Sequence, residues 1–429
     1  MKKLFAILLI PFFLSPLSVI STEKTISLSN EAKYQLTASV VTNTTYFDII
    51  PSNPNLYSDS NSYSDQALTV IVKTHTANVP LDIVALKIND QAIPIFQLED
   101  GSYIEASRQI IYDDIIMSQQ ELPVAEFWLK DGFKFYDSPY IMGTKEVKTK
   151  LVAYTKVSVS EEAQTYHGTY YKVDGQGWIS ADDISETDNR MEKVQKTLTQ
   201  KYNKPNYGIY IKQLGTNNSA SLNGDVTMYS ASVAKLATLY YVEEQLQSQT
   251  IKLEDKLKYT SDVNSFAKAY DPSGSGKISK TADNKDYTIE NLLKAVAQNS
   301  DNVATNVLGY YIANQYDNDF QSTISSLIGT DFDMKERKLS AKSAANLMEA
   351  IYYQNGDIIN YLSNTDFDNT RISKDISVQV AHKIGDAYDF KHDVAIVYAD
   401  EPFIISVFTN NASYTDITNI ANDVYAILK

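Results

Sequence analysis

The chain has 429 residues, 43% of them hydrophobic and 21% charged, a composition typical of globular proteins that argues against wholesale disorder. That length is enough for more than one domain with a sizeable core. The net charge of −15 argues against nucleic acid as a partner, and a sequence without cysteine excludes disulfide scaffolds and thiolate zinc sites.

The chain begins with "MKKLFAILLIPFFLSPLSVIS", in which two lysines follow Met1 and precede an apolar run that Pro11 and Pro16 interrupt. This order predicts a secretory signal peptide over residues 1–21, with Val19 and Ser21 before the cleavage point. An uncleaved N-terminal anchor is the alternative, and it would be the only membrane contact, because no second apolar run is long enough to span a bilayer. Export without cysteine favours an extracellular, wall-associated protein on a bacterial surface.

Residues 22–185 are rich in tyrosine and in short alternating runs such as "ALTVIVKTHT", which predict β-strands. A weak repeat sets "FQLEDGSYIEAS" against "YYKVDGQGWISAD", so that Tyr103 corresponds to Trp178. The repeat predicts two β-rich modules, residues 22–115 and residues 116–185.

The Gly177-Trp178 pair of the second module resembles the GW modules, SH3-like barrels that hold bacterial surface proteins to wall polymers. In the first module the resemblance is divergent, because Tyr103 replaces the tryptophan. The resemblance implies peptidoglycan or teichoic acid as a partner. However, a net charge of about −10 over residues 22–185 has the wrong sign for attracting phosphate, so a simple spacer is the alternative.

The second half, residues 186–429, begins with the charged stretch "SETDNRMEKVQKTLTQKYNK", a predicted helix for which Ser185 is a candidate N-cap. Strand patterns such as "NYGIYIKQL" and "PFIISVFTNN" lie at both ends of this half, with helical patterns between them. This order predicts an α+β domain in which helices pack on an antiparallel sheet.

In the stretch "YSASVAKLATLYYVEEQ", Ser232 precedes Lys235 by three residues at the start of a predicted apolar helix. A helix N-terminus favours a developing negative charge, and residues i and i+3 share a face. A lysine in apolar surroundings has a lowered pKa and can take the proton of a serine. The same pattern also fits a capped helix with a snorkelling lysine.

Two further motifs favour the catalytic interpretation. The tripeptide "SDN" at Ser300 lies between two predicted helices, and "HKIGD" with Lys383 ends a predicted strand near the C-terminus. The order S-x-x-K, S-D-N, K-x-G resembles the class A β-lactamases and penicillin-binding proteins over residues of about 190–429. The resemblance implies a serine hydrolase with the α+β fold of that family and needs no metal or cofactor.

The resemblance also implies a role for each matching residue. Ser232 would be acylated, Lys235 would act as its base, and Ser300 would pass a proton to the leaving nitrogen. The substrate would be bound by Asn302, by Lys383 and by the end of the K-x-G strand. The backbone N–H groups of Ser232 and Asp386 would form the oxyanion hole. Gly385 and Asp386, at the end of the K-x-G strand, complete the implied set of substrate-binding residues.

Two departures from the family pattern bear on the substrate. Ile384 replaces the hydroxyl residue that helps to hold a substrate carboxylate. Glu336 follows the SDN motif at a distance that suits the glutamate with which class A β-lactamases activate the hydrolytic water. However, Ser340 replaces the asparagine that should follow this glutamate, so we expect Glu336 to be an ordinary surface residue. Without such a pair, a β-lactam should be released slowly from Ser232. The expected substrates are D-alanyl peptides of peptidoglycan, with β-lactams as slow substrates. A D-alanyl esterase on teichoic acid and a wall-binding pseudoenzyme are the alternatives.

Overall fold

The computed structural model of the protein describes residues 27–38 and 45–429. The predicted signal peptide, residues 1–21, lies outside this described part. The chain divides into two compact units. The first holds the described residues up to 125 together with 133–150 and 158–183, and the second holds 126–132, 151–157 and 184–429. No helix within the described ranges is long and apolar enough to span a bilayer.

The first unit is β-rich, as the alternating patterns predict. Its one α-helix in the described ranges is α1 (Asn30–Ala38). The strands are β1 (Pro54–Leu56), β2 (Ser60–Tyr63), β3 (Ile71–His75), β4 (Ile83–Ile88), β5 (Pro94–Leu98), β6 (Tyr103–Glu105), β7 (Ile111–Asp113), β8 (Ile116–Leu129), β9 (Phe135–Tyr136), β10 (Glu146–Val147), β11 (Lys156–Thr165), β12 (Gly168–Val173) and β13 (Gly177–Ser180). The pair of β1 and β7 accompanies a five-stranded sheet of order β3-β2-β6-β5-β4. A further sheet contains, in order, β10-β9-β13-β12-β11-β8, and β8 runs on into the second unit.

The two segments of the sequence repeat form hairpins of the same register. In the β5–β6 hairpin Ile95 pairs with Glu105, and in the β12–β13 hairpin Tyr170 pairs with Ser180, so both partners are displaced by 75 residues. Each hairpin closes through a glycine with positive φ, Gly101 at 84° in the first. The repeat therefore corresponds to one structural element that occurs twice.

The second unit is an α+β domain, as predicted. Its elements are β14 (Ile184–Ser185), α2 (Arg190–Lys201), β15 (Tyr207–Gln213), β16 (Ser219–Leu222), β17 (Met228–Tyr229), α3 (Lys235–Gln247), β18 (Lys256–Lys258), β19 (Asp286–Thr288), α4 (Ile289–Asn299), α5 (Asn302–Tyr311), α6 (Asn318–Ile328), β20 (Lys338–Leu339), α7 (Ala341–Gln354), α8 (Asp357–Leu362), β21 (Val380–Ala387), β22 (Phe390–Val397), β23 (Phe403–Asn410) and α9 (Tyr414–Leu428).

Helices cover both faces of one antiparallel sheet, whose strand order is β16-β15-β23-β22-β21. Because side chains alternate along a strand, β22 sends Val394 and Ile396 into one core and Ala395 and Val397 into the other. The first core contains residues of α3 to α8, and the second contains residues of α2 and α9. This arrangement leaves β21 at the edge of the sheet.

The expected N-cap of the first helix of this unit was wrong. Ser185 belongs to β14 and pairs with Trp128 of β8, so strand pairing takes the residue out of the helix. The helix begins at Arg190, and its N-cap residue Asn189 makes no side-chain cap bond. Instead the Asn189 amide donates to the carbonyl oxygen of Leu129, at 3.1 Å.

Candidate active site

Ser232 lies in a short 3₁₀ turn, Ala231–Ala234, that leads directly into α3. The turn is fixed from the residue before it, because the backbone N–H and the hydroxyl of Ser230 both donate to the carbonyl oxygen of Arg337, at 2.7 and 2.8 Å. Side chains at i and i+3 eclipse in a 3₁₀ turn, so Ser232 and Lys235 share one side. Ser232 is partly exposed, whereas Lys235 is fully buried.

The amine of Lys235 makes two short hydrogen bonds to oxygens that can only accept. Its Nζ lies 2.6 Å from the carbonyl oxygen of Ser300 and 2.6 Å from Oδ1 of Asn302. Burial lowers the pKa of Lys235 well below its ordinary value, and the positive charge of Lys383 lowers it further. A neutral amine has two N–H groups for these two acceptors, which leaves its lone pair available to accept a proton.

Ser300 connects the two buried lysines. Its Oγ lies 3.4 Å from Nζ of Lys235 and 2.8 Å from Nζ of Lys383. Burial lowers the pKa of Lys383 to about 7; the carboxylate of Asp393 opposes this shift and the guanidinium of Arg371 adds to it. The Ser300 hydroxyl is therefore placed to relay a proton between two amines that both lose their proton more readily than an exposed lysine.

The SDN turn joins α4 to α5 with the help of an unusual backbone conformation. Ser300 ends α4 in the left-handed region, with φ of 53°, and Asp301 then caps α5 by accepting from the N–H of Ala304 at 2.9 Å. The second carboxylate oxygen of Asp301 accepts the backbone N–H groups of Lys277 and Ile278, at 2.6 and 2.8 Å. Asp301 thus holds the turn and the neighbouring loop; it makes no hydrogen bond or ion pair with either lysine amine, although its negative charge partly opposes the lowering of the Lys235 pKa.

Asn302 is the first residue of α5 and binds on two sides. Its Oδ1 accepts from Lys235, and its Nδ2 donates to the carbonyl oxygen of Asp271 at 2.7 Å. The amide group that the family resemblance assigns to the substrate is therefore bonded to the loop that Asp301 holds.

The edge strand β21 lies directly against the turn that carries Ser232. A Cβ on Gly385 would come within 2.6 Å of the carbonyl oxygen of Ser230 and 3.0 Å of Cγ2 of Val233, so only glycine permits this approach. Ile384 is 5% exposed. The carboxylate of Asp386 accepts from Arg371 at 2.7 Å and from the hydroxyl of Tyr414, which leaves its backbone as the group available for an oxyanion hole.

The structure brings most of the predicted site residues into one network and leaves Ser232, in the turn before Lys235, outside it. Lys235, Ser300, Asn302 and Lys383 are linked by hydrogen bonds. Neither the hydroxyl nor the backbone N–H of Ser232 has a hydrogen-bond partner among the residues that the structure describes. A free hydroxyl at a partly exposed position and a free N–H are what a nucleophile and an oxyanion hole require before substrate binds.

Glu336 is exposed and pairs with Lys338 at 3.2 Å, so it takes no part in this network. Ser340 is the N-cap of α7 and accepts from the N–H of Ser343. Within the described ranges no group of three or more His, Cys, Asp or Glu side chains is placed to hold a metal ion.

Two residues at the site were not predicted from the sequence. The ring of Tyr270 has its centroid 4.6 Å from Nζ of Lys235, and the guanidinium of Arg337 lies 3.6 Å from the same centroid. Tyr270 belongs to the long connection between β18 and β19, and Arg337 immediately precedes β20. Neither position stands in a motif, so the sequence offered no signal for them.

Comparison with known proteins gives one match that covers most of the second unit. The model of the beta-lactamase enzyme family matches residues 189–428, and that of a domain of unknown function, DUF5776, matches residues 46–111. No curated protein matches the chain.

Among solved structures, the chain is similar to PBP-A, with 20% identity, a TM-score of 0.45 and coverage of 56% of this chain and 95% of that one. It is also similar to the beta-lactamase of Sphaerobacter thermophilus, with 17% identity, a TM-score of 0.45 and coverage of 55% and 94%. A third match is an ancestral class A beta-lactamase, with 14% identity, a TM-score of 0.46 and coverage of 56% and 99%. The family model spans more than half of the 429 residues, and the chain therefore belongs to the beta-lactamase enzyme family.

Proposed function

We propose that this protein is an exported acyl-serine hydrolase that acts on D-alanyl peptides of peptidoglycan and is acylated by β-lactams. The observation that carries the proposal is the network of Lys235, Ser300, Asn302 and Lys383, together with the unpaired hydroxyl of Ser232 in the turn that leads to Lys235. Two buried amines with lowered pKa values on one serine are hard to explain as a stabilising device, since burying an amine is unfavourable.

Acylation follows from this geometry in two proton transfers. The neutral amine of Lys235 takes the proton of Ser232, whose oxygen attacks the substrate carbonyl carbon. The C–N bond then breaks, and the leaving nitrogen receives a proton from the Ser300 hydroxyl, which is replenished from Lys235. The product is an ester on Ser232, and Lys383 supplies positive charge to the side of Ser300.

Ile384 favours a second candidate substrate. The family pattern has a hydroxyl at this position to help bind a carboxylate, and the buried isoleucine side chain has no donor. A D-alanyl ester of teichoic acid has no free carboxylate at the acyl donor, so the same four polar residues would serve it without that hydroxyl. A comparison of purified D-alanylated teichoic acid with a D-alanyl peptide, by release of D-alanine, distinguishes the two substrates.

The test of the proposal is covalent capture. The native chain and Ser232→Ala are incubated with a fluorescent penicillin, and both are analysed by intact mass. We expect an adduct on the native chain only, with the full mass of the penicillin, because ring opening has no leaving group. Absence of an adduct on the native chain at any penicillin concentration would contradict this function and favour a wall-binding pseudoenzyme or the D-alanyl esterase.

We further propose that the first unit attaches the enzyme to the cell wall, with GW-like, SH3-like modules as the working description. The repeated hairpin and the DUF5776 match over residues 46–111 support a separate module there. The described residues of the first unit contain 19 Asp and Glu against 9 Lys and Arg, a net of −10, which favours peptidoglycan over an anionic polymer. Retention of the unit on purified walls stripped of teichoic acid is the expected result. Retention no higher than that of an unrelated acidic protein would make the unit a spacer.

A further inference from the structure

The side chain of Tyr270 occupies the space beside the amine of Lys235 and the residue before Ser232. Its ring centroid lies 4.6 Å from the amine, and its hydroxyl donates to the carbonyl oxygen of Ala231 at 3.3 Å. The side chain is only 5% exposed. Burial raises the pKa of the phenol, so it remains a protonated donor and offers no base to a water molecule.

Arg337 and Asn306 hold Tyr270 in this position. The guanidinium of Arg337 lies 3.6 Å from the ring centroid, and its Nη2 donates to the carbonyl oxygens of Lys268 and Ala269, at 3.2 and 3.0 Å. Asn306 bonds both the backbone N–H and the carbonyl oxygen of Tyr270, at 2.7 and 2.8 Å. The ring is therefore fixed through its face and through its backbone.

This arrangement leaves little for a hydrolytic water to bind. A buried water needs two to four polar partners; the Nε–H of Arg337 is a buried donor without a partner, but an arginine offers no acceptor for the protons of a water. The hydroxyl of Tyr270 is already bonded to Ala231, and the short bonds of Lys235 go to the SDN turn. Glu336, the one carboxylate that the sequence suggested for this task, is exposed and pairs with Lys338.

We propose that Tyr270, braced by Arg337 and Asn306, is a positioning residue that excludes water from acyl-Ser232 and makes the acyl-enzyme long-lived. The inference rests on the proposed function, because it requires that Ser232 be acylated. Hydrolysis needs a water oxygen to attack the acyl carbon while the bond to Ser232 Oγ breaks. One water proton goes to the Lys235 amine and from there to Ser232, and the acid is released. Filling the space beside Lys235 with a ring blocks the first of these steps.

The experiment separates formation of the adduct from its loss. The full chain is acylated with a fluorescent penicillin, excess reagent is removed, and the adduct is followed by intact mass over time. Three variants are compared with the native chain: Tyr270→Ala, which opens the space; Tyr270→Phe, which keeps the ring; and Tyr353→Ala, an exposed tyrosine of α7, as a control.

We expect Tyr270→Ala to lose its adduct at least about tenfold faster than the native chain, with a smaller change in the rate of acylation, because water then reaches a base beside the ester. Tyr270→Phe and the control should match the native lifetime within about twofold. If Tyr270 had only a structural role, Tyr270→Ala would lower the unfolding temperature, but the rate of acylation and the rate of adduct loss would change by similar factors.

An adduct on folded Tyr270→Ala that lasts as long as the native one overturns the inference alone. If this variant does not fold, Arg337→Met releases the ring while its backbone carbonyl still binds Ser230, and the adduct should again be lost faster. An unchanged lifetime in that variant also counts against the inference. The absence of any adduct on the native chain contradicts the proposed function itself, and the acyl-enzyme on which the inference depends.

Discussion

Two lysines are buried in one hydrogen-bond network at the candidate site, Lys235 at 0% exposure and Lys383 at 1%. An ammonium loses its hydration there, which is why both pKa values fall. Since a lowered pKa means that the folded state binds protons less readily than the unfolded chain, both lysines oppose folding at neutral and acidic pH. The two buried lysines therefore lower the stability of the folded protein.

Replacing Lys383 by methionine should raise stability while it impairs acylation. The folded pKa of about 7 lies below the ordinary value of 10.5, so the unfavourable contribution is fully present below about pH 7 and fades as pH rises towards 10.5. At about pH 6 we expect Lys383→Met to gain about 3 kcal/mol of unfolding free energy, because the difference between pKa values of 10.5 and about 7 corresponds to about 5 kcal/mol and the lost bond to Ser300 offsets about 2. Urea unfolding at several pH values measures it; a variant that is less stable at acidic pH than the native chain would contradict the argument.

At the residue scale, sequence motifs indicated which residue types lie at the site, since S-x-x-K, S-D-N and K-x-G are local patterns. Tyr270 could not be found in this way. It lies in the long connection between β18 and β19, and it reaches Lys235 because Asn306, 36 residues away, binds its backbone. Such an approach depends on tertiary packing, which no local pattern encodes.

The edge strand β21 presents its site residues because it lies against the turn before α3. Its backbone at Gly385 approaches the carbonyl oxygen of Ser230, and Lys383 two residues earlier reaches Ser300. Alternating patterns predicted the sheet strands near the C-terminus. The helix start at Ser185 was mispredicted because pairing with Trp128 outweighs the cap preference of a serine.

Gly385→Ala should push β21 away from the nucleophile turn. The added Cβ would meet the Ser230 carbonyl at 2.6 Å, and both groups belong to backbone that cannot rotate aside. We expect a loss of about 1 to 3 kcal/mol of stability and a fall in the acylation rate of at least about tenfold. Gly329→Ala is the control, because nothing lies within 4 Å of the added Cβ. Its φ of 74° is unfavourable for alanine, so this variant should lose stability without a fall in the acylation rate. A normal acylation rate in Gly385→Ala would show that this contact is not needed.

His382 ties β21 to β22 and to the loop before it. Its imidazole lies 3.1 Å from the carboxylate of Asp393 and 3.1 Å from that of Asp368. Burial alone would lower the pKa of His382, but the two carboxylates outweigh it and raise the pKa to about 9. The stabilising effect is thus fully present below the ordinary value of 6.5 and is lost as pH rises through about 9.

The stability difference between the native chain and His382→Gln should therefore shrink as pH rises from about 6 to about 10. Thermal unfolding of both proteins across this range measures it. A matched control is His392→Gln: burial lowers the pKa of His392 to about 4, so its contribution improves as pH rises through the ordinary value of 6.5 and is constant above about pH 7.5, the opposite of the trend expected for His382. If the stability difference between the native chain and His382→Gln did not depend on pH, the histidine would be neutral in the folded protein.

At the scale of the whole molecule, the second unit is built from three separate segments of the chain. Residues 126–132 and 151–157 come before the family match, yet they belong to the second unit. Leu129 pairs with Ile184 and accepts from Asn189, and the guanidinium of Arg190 lies 4.8 Å from the ring centroid of Trp128. The composition of residues 22–185 indicated β structure, but these returning segments depend on contacts far apart in sequence.

A fragment of residues 186–429 should fold and be acylated, because both cores of the second unit lie between Met191 and Leu428. It lacks the contacts to residues 126–132 and 151–157, so we expect it to unfold about 5 °C below the second unit of the full chain. Calorimetry on both proteins measures the difference. Equal unfolding temperatures would mean that these segments contribute nothing to the stability of the domain.

The most direct measurement is the rate at which penicillin acylates Ser232 in the native chain and in Lys235→Met. Methionine fills the space of the buried lysine without a base, so the variant should be at least as stable as the native chain while its acylation slows by about a thousandfold. A Lys235→Met protein that is folded and acylated within a few-fold of the native rate would contradict the claim that this amine removes the serine proton.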